Sequence, residues 1–149
     1  MFNWYALETD KGFAGMKADV TVDVIDSFSS EDGINPGEPV IRGTDPAKQV
    51  KTAAVGDVNK IIGIAIHTHK DLPISGKYYE EGYCLPVMTF GDVYVVAGGD
   101  VKAGDGVGLS TNDDGEIVYV KAAASGGIEG FTFLDNAGEG ELVRVRIRK

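Results

Sequence analysis

An approximate internal repeat limits the folds open to this chain more than any other feature. Positions separated by 67 residues match without a gap from residue 34 to residue 66, so that IIGIAI in the first copy falls on IEGFTF in the second. The matched pairs include Ile34 with Val101, Gly37 with Gly104, Glu38 with Asp105, Val40 with Val107 and Thr44 with Thr111. Two copies are too few for a solenoid, which needs at least three repeats. The repeat therefore predicts two similar half-units, residues 34–66 and residues 101–133, packed on each other.

The local chemistry of both copies is that of β-structure. The segments NPGE and KAGD each place a glycine, Gly37 or Gly104, where a tight turn needs positive φ, and a short apolar segment follows. Gly63 and Gly130 stand inside apolar segments, which indicates a bulge, a bend or a close approach of another backbone. Matching turn chemistry at a constant offset supports the repeat beyond the few identical residues.

The rest of the chain from residue 34 onwards also indicates short strands. Glycine supplies 21 of the 149 residues and separates segments rich in Val, Ile and Thr, whereas no helical periodicity is evident. We predict strands at residues 39–42, 50–54, 61–67, 83–89, 92–97, 106–110, 117–121, 130–134 and 142–148. The sequence thus predicts an all-β domain, a small barrel or sandwich, over residues 34–149.

Residues 1–33 differ in character, and we assign them to an N-terminal arm and a first strand. Residues 19–26 alternate, with Val20, Val22 and Val24 on one face, and predict that strand. Residues 1–18 are aromatic without strand or helix periodicity, which favours an extended arm that binds a partner. An alternative is that these aromatic side chains cap the open end of the β-domain itself. The candidate partner-binding residues are Phe2, Trp4, Tyr5, Phe13 and Met16.

Composition excludes several classes of function. The formal net charge of −9 argues against a nucleic-acid binder, since neutralising phosphates requires clustered Lys and Arg. No apolar run approaches the roughly 20 residues that span a bilayer. The N-terminus has neither the basic start nor the apolar stretch of a signal peptide, so we expect a protein made in the cytoplasm that does not leave by secretion. Cys84 stands alone in an apolar run and is expected to be a buried, inert thiol.

The one basic run closes the chain. Arg144, Arg146 and Arg148 alternate with apolar residues, so they share one face of a strand. This face could contact another subunit or an acidic partner, or it could be the solvated outer face of an edge strand. An edge strand here would also allow a third class of function, an adaptor that binds peptides by strand addition.

The sequence contains few candidates for chemistry. His67 and His69 lie on one face of a strand end, but a zinc site needs three or four ligands, and Asp71 is the nearest carboxylate that could help. The segment NDDGE, residues 112–116, lacks the spacing of a calcium loop and predicts a hairpin turn. No phosphate-binding glycine motif or nucleophile elbow is present. We therefore expect neither an enzyme nor a cofactor; a small metal- or ligand-binding enzyme using His67 and His69 is the alternative.

An ordered set of segments gives the chain a family resemblance. GFAGMKAD, VDVIDSF, INPGEPVIRG, KIIGIAIH and VKAGDGVGL, which begin at residues 12, 22, 34, 60 and 101, make it similar to bacteriophage capsid cement, or decoration, proteins. The resemblance implies a structural virion protein with a small β-barrel or sandwich core. It implies binding to the outside of an assembled icosahedral head, where such proteins bridge neighbouring capsomers, commonly as trimers.

The implied partners are the major capsid protein and further copies of the chain, as a trimer or a dimer. Neither a membrane nor nucleic acid is an expected partner. Assembly would take place in the host cytoplasm. The family offers no catalytic residue to carry over, and the loop over residues 71–82 departs from its pattern.

Overall fold

A computed structural model of the protein describes residues 12–19, 21–73, 76–124 and 126–149. This part of the chain is built from β-strands and one short 3-10 helix at Val55–Asp57, which confirms the all-β class. The strands are β1 (Val24–Ser30), β2 (Pro39–Arg42), β3 (Gln49–Thr52), β4 (Gly63–Ala65), β5 (Cys84–Val96), β6 (Val107–Thr111), β7 (Ile117–Lys121), β8 (Phe131–Phe133) and β9 (Leu142–Arg148). No helix in the described ranges is long and apolar enough to cross a membrane.

The first five strands close into a ring, called here the first ring. Its order is β1-β3-β2-β4-β5, and β5 pairs with β1 to complete it. The β1–β3 pairing is parallel, and the other four pairings are antiparallel. Closure leaves few unpaired edges and gives the small barrel that the sequence predicts.

The second half of the chain repeats this arrangement in a second ring. The C-terminal half of β5 pairs with β9, β9 with β8, and β6 with β7. Two isolated bridges complete the circuit, an antiparallel one between Gly106 and Thr132 and a parallel one between Ala97 and Tyr119. The sequence repeat is therefore a structural repeat, with β6, β7 and β8 in the places of β2, β3 and β4. The two rings share β5.

The turns repeat as well. Gly37 and Gly104 have φ of 89° and 92°, as a tight turn requires of glycine. The amide of Gly37 donates to the carbonyl of Ala65, and the amide of Gly104 donates to that of Phe133. Gly63 has no room for a side chain, since a Cβ there would lie 2.2 Å from the carbonyl oxygen of Met88. Close backbone approach is thus the reason for this glycine.

Two hydrophobic clusters hold the rings together. One cluster fills the first ring, with an apolar side chain from each of its five strands: Phe28, Val40, Val50, Ala65, Leu85 and Val87. The larger cluster fills the second ring and also takes Ile41, Ile64 and Met88 from the outer face of the first ring. Strands β2, β4 and β5 are therefore buried on both faces, and the rings pack as one unit.

Four expectations need correction. The first strand was predicted at residues 19–26 but runs from Val24 to Ser30. Its buried apolar side chain is Phe28, and Val22 and Val24 are exposed. The two strands predicted at residues 83–89 and 92–97 are one strand, β5, because pairing continues through Phe90 to both neighbours. Strand β9 lies between β5 and β8, so it is not an edge strand and offers no site for peptide addition. Cys84 is exposed.

The turn predicted at residues 112–116 is confirmed as the hairpin between β6 and β7. Gly115 has φ of 78°, and the Asn112 side chain accepts the amides of Asp114 and Glu116. The division of the chain at residue 33 stays a prediction, although β1 is part of the first ring.

Candidate binding surface

A cluster of aromatic and basic side chains is formed by the loop between β4 and β5 together with Phe13 of the N-terminal segment. We call Phe13, His67, Lys70, Tyr78 and Tyr83 the aromatic surface. The His67 ring meets Phe13 edge-on at 4.7 Å between centroids and lies 5.2 Å from the Tyr78 ring. The Lys70 ammonium lies 5.0 Å from the Tyr78 centroid and 4.6 Å from that of Tyr83. Phe13 and Tyr83 are 46% and 41% exposed, so the cluster leaves aromatic area accessible to solvent.

The loop that carries this surface is fixed by tyrosine hydroxyls. The Tyr79 hydroxyl donates to the carbonyl of Ile66 at 2.6 Å and accepts the amide of Thr68 at 2.9 Å. Burial raises the pKa of Tyr79 to about 12, so the hydroxyl stays protonated at neutral pH. The Tyr78 hydroxyl donates to the carbonyl of Thr68, and the Lys70 ammonium donates to the carbonyl of Tyr78. These bonds hold the aromatic surface in a defined geometry.

The described part of the proposed arm lies against both rings. Gly15 and Met16 exchange backbone hydrogen bonds with Tyr94 of β5, and Lys17 forms an antiparallel bridge with Val93. The carbonyl of Gly15 also accepts the amide of His67. Of the predicted arm residues, Phe13 joins the aromatic surface and Met16 is half-buried. Phe2, Trp4 and Tyr5 lie outside the described residues.

The arginines of β9 form ion pairs on the outer face of the sheet. Arg146 donates to Asp92 through two bonds of 2.9 and 3.0 Å, and Arg144 donates to Asp135 through bonds of 2.8 and 2.7 Å. Hydrogen bonding to these carboxylates raises the pKa of both guanidinium groups. Arg148 packs its guanidinium 4.4 Å from the centroid of the Phe90 ring. This face therefore has paired charges, and a role for its arginines in subunit contact stays a prediction.

The two histidines do not assemble a metal site. Within the described residues, no group of three or more His, Cys, Asp or Glu side chains is placed to hold a metal ion. His67 instead contacts Phe13 and Tyr78, and His69 is exposed. The geometry does not favour the metal-binding alternative.

Sequence reasoning missed Lys70, Tyr78 and Tyr83 as site residues, and it missed the buried carboxylate of Asp92. The tyrosines could have been found from the sequence, because GKYYEEGY places Tyr78 and Tyr83, together with Tyr79, within one loop. The sequence signal for Asp92 was weaker. It is a single acidic residue beside the apolar run VYVV, and arginines alternate in another predicted strand. Pairing between those strands was needed to bring the two charges together.

Comparisons with known proteins agree with this architecture. The family model of structural cement proteins, which is described by E217 gp24 and Pam3 gp6, matches residues 2–148. Among solved structures, a chain of "The capsid of Myoviridae Phage XM1" superimposes with a TM-score of 0.73 at 17% identity, over 100% of this chain and 98% of that one. At that identity the likeness shows a shared fold.

A second structure, the head fiber gp8.5 N base of bacteriophage phi29, has a TM-score of 0.46 at 18% identity, over 85% of this chain and 95% of that one. No curated protein matches the chain. The family match covers nearly every residue, and the repeated β-rings supply the small β-barrel core that the family resemblance implies. The chain belongs to the structural cement protein family of bacteriophages.

Proposed function

We propose that the protein binds the outside of an assembled icosahedral phage head and stabilises it by bridging neighbouring capsomers. The observation that carries this proposal is the family match over residues 2–148. A protein that binds only the assembled shell stabilises that shell by mass action, because binding draws the equilibrium towards the bound state. Its partners are the major capsid protein and other copies of the chain, with a trimer as the first expectation and a dimer as the second.

The aromatic surface is the part of the described molecule best suited to contact the shell. The Tyr78 and Lys70 side chains donate hydrogen bonds to backbone carbonyls of the same loop, so less conformational entropy is lost when a partner covers them. Phe13 and Tyr83 are each exposed by more than 40% and are of the residue types that dominate interface energetics. Phe13 follows residues 1–11 closely in the sequence, so we expect the arm and the surface to bind the same partner.

The test is cosedimentation of the purified protein with expanded heads that lack it, followed by cryo-electron microscopy. Ordered density on the outside of the shell, across joints between capsomers, is the expected result. Density inside the shell, or no binding to cognate heads, would contradict the proposal.

Substitutions locate the contact. Phe13→Ala and Tyr83→Ala should each weaken head binding by about tenfold or more, the effect of roughly 1.4 kcal/mol at an interface anchor. Val55→Ala is a matched control, because Val55 is 41% exposed and lies on the 3-10 helix. Unchanged binding by both aromatic variants would exclude the aromatic surface and leave the cement role standing.

A further inference from the structure

The two rings differ at one strand edge, and the difference points to an unfilled binding site. In the second ring, the outer edge of β5 at Asp92 and Tyr94 is covered by residues 15–18 of the same chain. The amide of Ala18 donates to the carbonyl of Asp92, and Tyr94 exchanges bonds with Gly15 and Met16. A short antiparallel strand thus occupies this edge.

The equivalent edge of the first ring is that of β1. The 67-residue offset that relates the rings carries Ile25 onto Asp92 and Ser27 onto Tyr94. Strand β3 pairs with β1 only at Ser29 and Ser30. No strand in the described ranges pairs with the outer edge of β1 at Ile25 and Ser27.

The backbone groups of this edge point away from the ring. The amides of Ser29 and Glu31 donate towards β3, whereas the amide of Ser30 donates to Tyr83 on the β5 side. Alternation along the strand therefore turns the amides and carbonyls of Ile25 and Ser27 outwards. Ser27 lies opposite Pro86 of β5, and proline has no amide hydrogen to donate. This agrees with the outward direction of the Ser27 backbone groups.

Exposed apolar side chains lie along the edge, beside the exposed polar residues Asp26 and Ser27. Val22, Val24 and Ile25 are 78%, 47% and 39% exposed, and they are three of the seven large hydrophobic side chains that are exposed in the described part of the chain. Exposed backbone donors and acceptors beside apolar side chains form a template for strand addition. The edge needs an extended segment with apolar side chains.

A second β1 does not fit this edge. In an antiparallel β1–β1 pair, the register that satisfies Ile25 and Ser27 of both copies sets Asp26 opposite Asp26. Like charges directly opposite each other destabilise a strand pair. The segment of this chain directly ahead of β1, residues 15–18, is already used by the second ring.

We propose that residues 1–11 of a neighbouring copy supply the missing strand and pair with the outer edge of β1. The stretch FNWYAL, residues 2–7, is apolar apart from Asn3 and has no charged side chain at neutral pH, so it can approach an acidic neighbour without repulsion. Eleven extended residues reach about 36–40 Å, enough to pass from one small domain to the next. The inference rests on the proposed role of residues 1–18 as an arm and gives that arm a partner.

Cross-linking between two different variants tests the pairing. Both carry Cys84→Ser, which removes the exposed thiol; one also carries Trp4→Cys and the other Ile25→Cys. Only contact between separate chains can join these cysteines, so a short bismaleimide should give a covalent dimer, in solution or on heads. The matched control replaces Ile25→Cys with Val55→Cys, since Val55 is similarly exposed at 41%. Equal yields from both mixtures, in solution and on heads, overturn the inference.

A backbone variant gives a second readout. Ser27→Pro removes one outward amide, and it should lower association of the copies roughly fivefold, the value of one net hydrogen bond. Hydrogen exchange at the amide of Ile25 in the full chain should slow as protein concentration rises. Slowed exchange that does not depend on concentration would show that the chain covers its own edge, and it too overturns the inference.

Head binding separates this inference from the proposed function. Heads that bind the protein while the cysteine pair fails to cross-link would leave the cement role intact and remove the copy-to-copy strand. Cross-linked copies that fail to bind heads would support the strand shared between copies and contradict the cement role.

Discussion

The ion pair between Arg146 and Asp92 makes an asymmetric prediction about stability. The Asp92 carboxylate is fully buried, whereas the Arg146 side chain is 40% exposed. Arg146→Met keeps the aliphatic stem but leaves the buried carboxylate without its two charged donors. Leaving a buried acceptor without its donors costs about 1–3 kcal/mol, and more when the acceptor is charged. Arg148, which comes within 4.0 Å of the same carboxylate, partly replaces the lost donors, so we expect a loss of about 3 kcal/mol.

The reverse substitution should cost less. Asp92→Asn keeps an acceptor for the guanidinium, and water can solvate the exposed part of Arg146, so we expect a loss of about 1–2 kcal/mol. Arg144→Met is the matched control on the same strand. Its partner Asp135 is 25% exposed, and truncating a solvated pair should cost about 1 kcal/mol or less.

Urea unfolding of the three variants and the parent protein measures these differences in free energy, and thermal unfolding measures the corresponding shifts in Tm. For a domain of this size, 1 kcal/mol shifts Tm by about 2–4 °C, so Arg146→Met should lower Tm by roughly 6–12 °C. The reasoning fails if Arg146→Met costs no more than Arg144→Met, or if Asp92→Asn is the most damaging of the three.

Three further predictions follow from the fold. Tyr79→Phe leaves the buried carbonyl of Ile66 and the part-buried amide of Thr68 without their partner, and it should lower the free energy of unfolding by about 1–3 kcal/mol. Because the pKa of Tyr79 is raised in the folded state, its contribution to stability is complete below pH 10 and falls as pH rises towards 12. The free energy of unfolding, measured at a series of pH values in that range, should therefore fall less steeply with pH in the variant than in the parent protein. Gly63→Ala should abolish folding or cost more than about 3 kcal/mol, since its Cβ meets backbone, whereas Gly56→Ala has open space and should be neutral in thermal unfolding. Cys84 should react fully with a maleimide in the native protein, as mass spectrometry can show; protection would contradict its exposure.

Sequence reasoning recovered the parts of the fold that depend on local chemistry. Strands β2, β7 and β9 were predicted with their observed bounds, and Gly37 and Gly104 have the positive φ that their turns required. The repeat was visible because both rings need the same turns at the same spacing.

What the sequence could not supply was pairing between distant segments. The break predicted near Gly91 lies within one continuous strand, because β1 and β9 both pair at Phe90 and carry the sheet across it. Val22 and Val24 suggest a buried face by alternation, yet they are exposed, since burial depends on which strands lie opposite. The aromatic surface likewise required the loop to fold back onto Phe13.

Strand β5 also determines how the molecule responds to force. Its 13 residues would span about 43 Å if fully extended, and they belong to both rings. Tension applied to one ring therefore passes to the other along covalent backbone as well as through the hydrophobic cluster that the rings share. Separating the rings requires shearing β1 and β9 from the same strand, so the molecule should rupture as a single mechanical unit rather than open at a hinge.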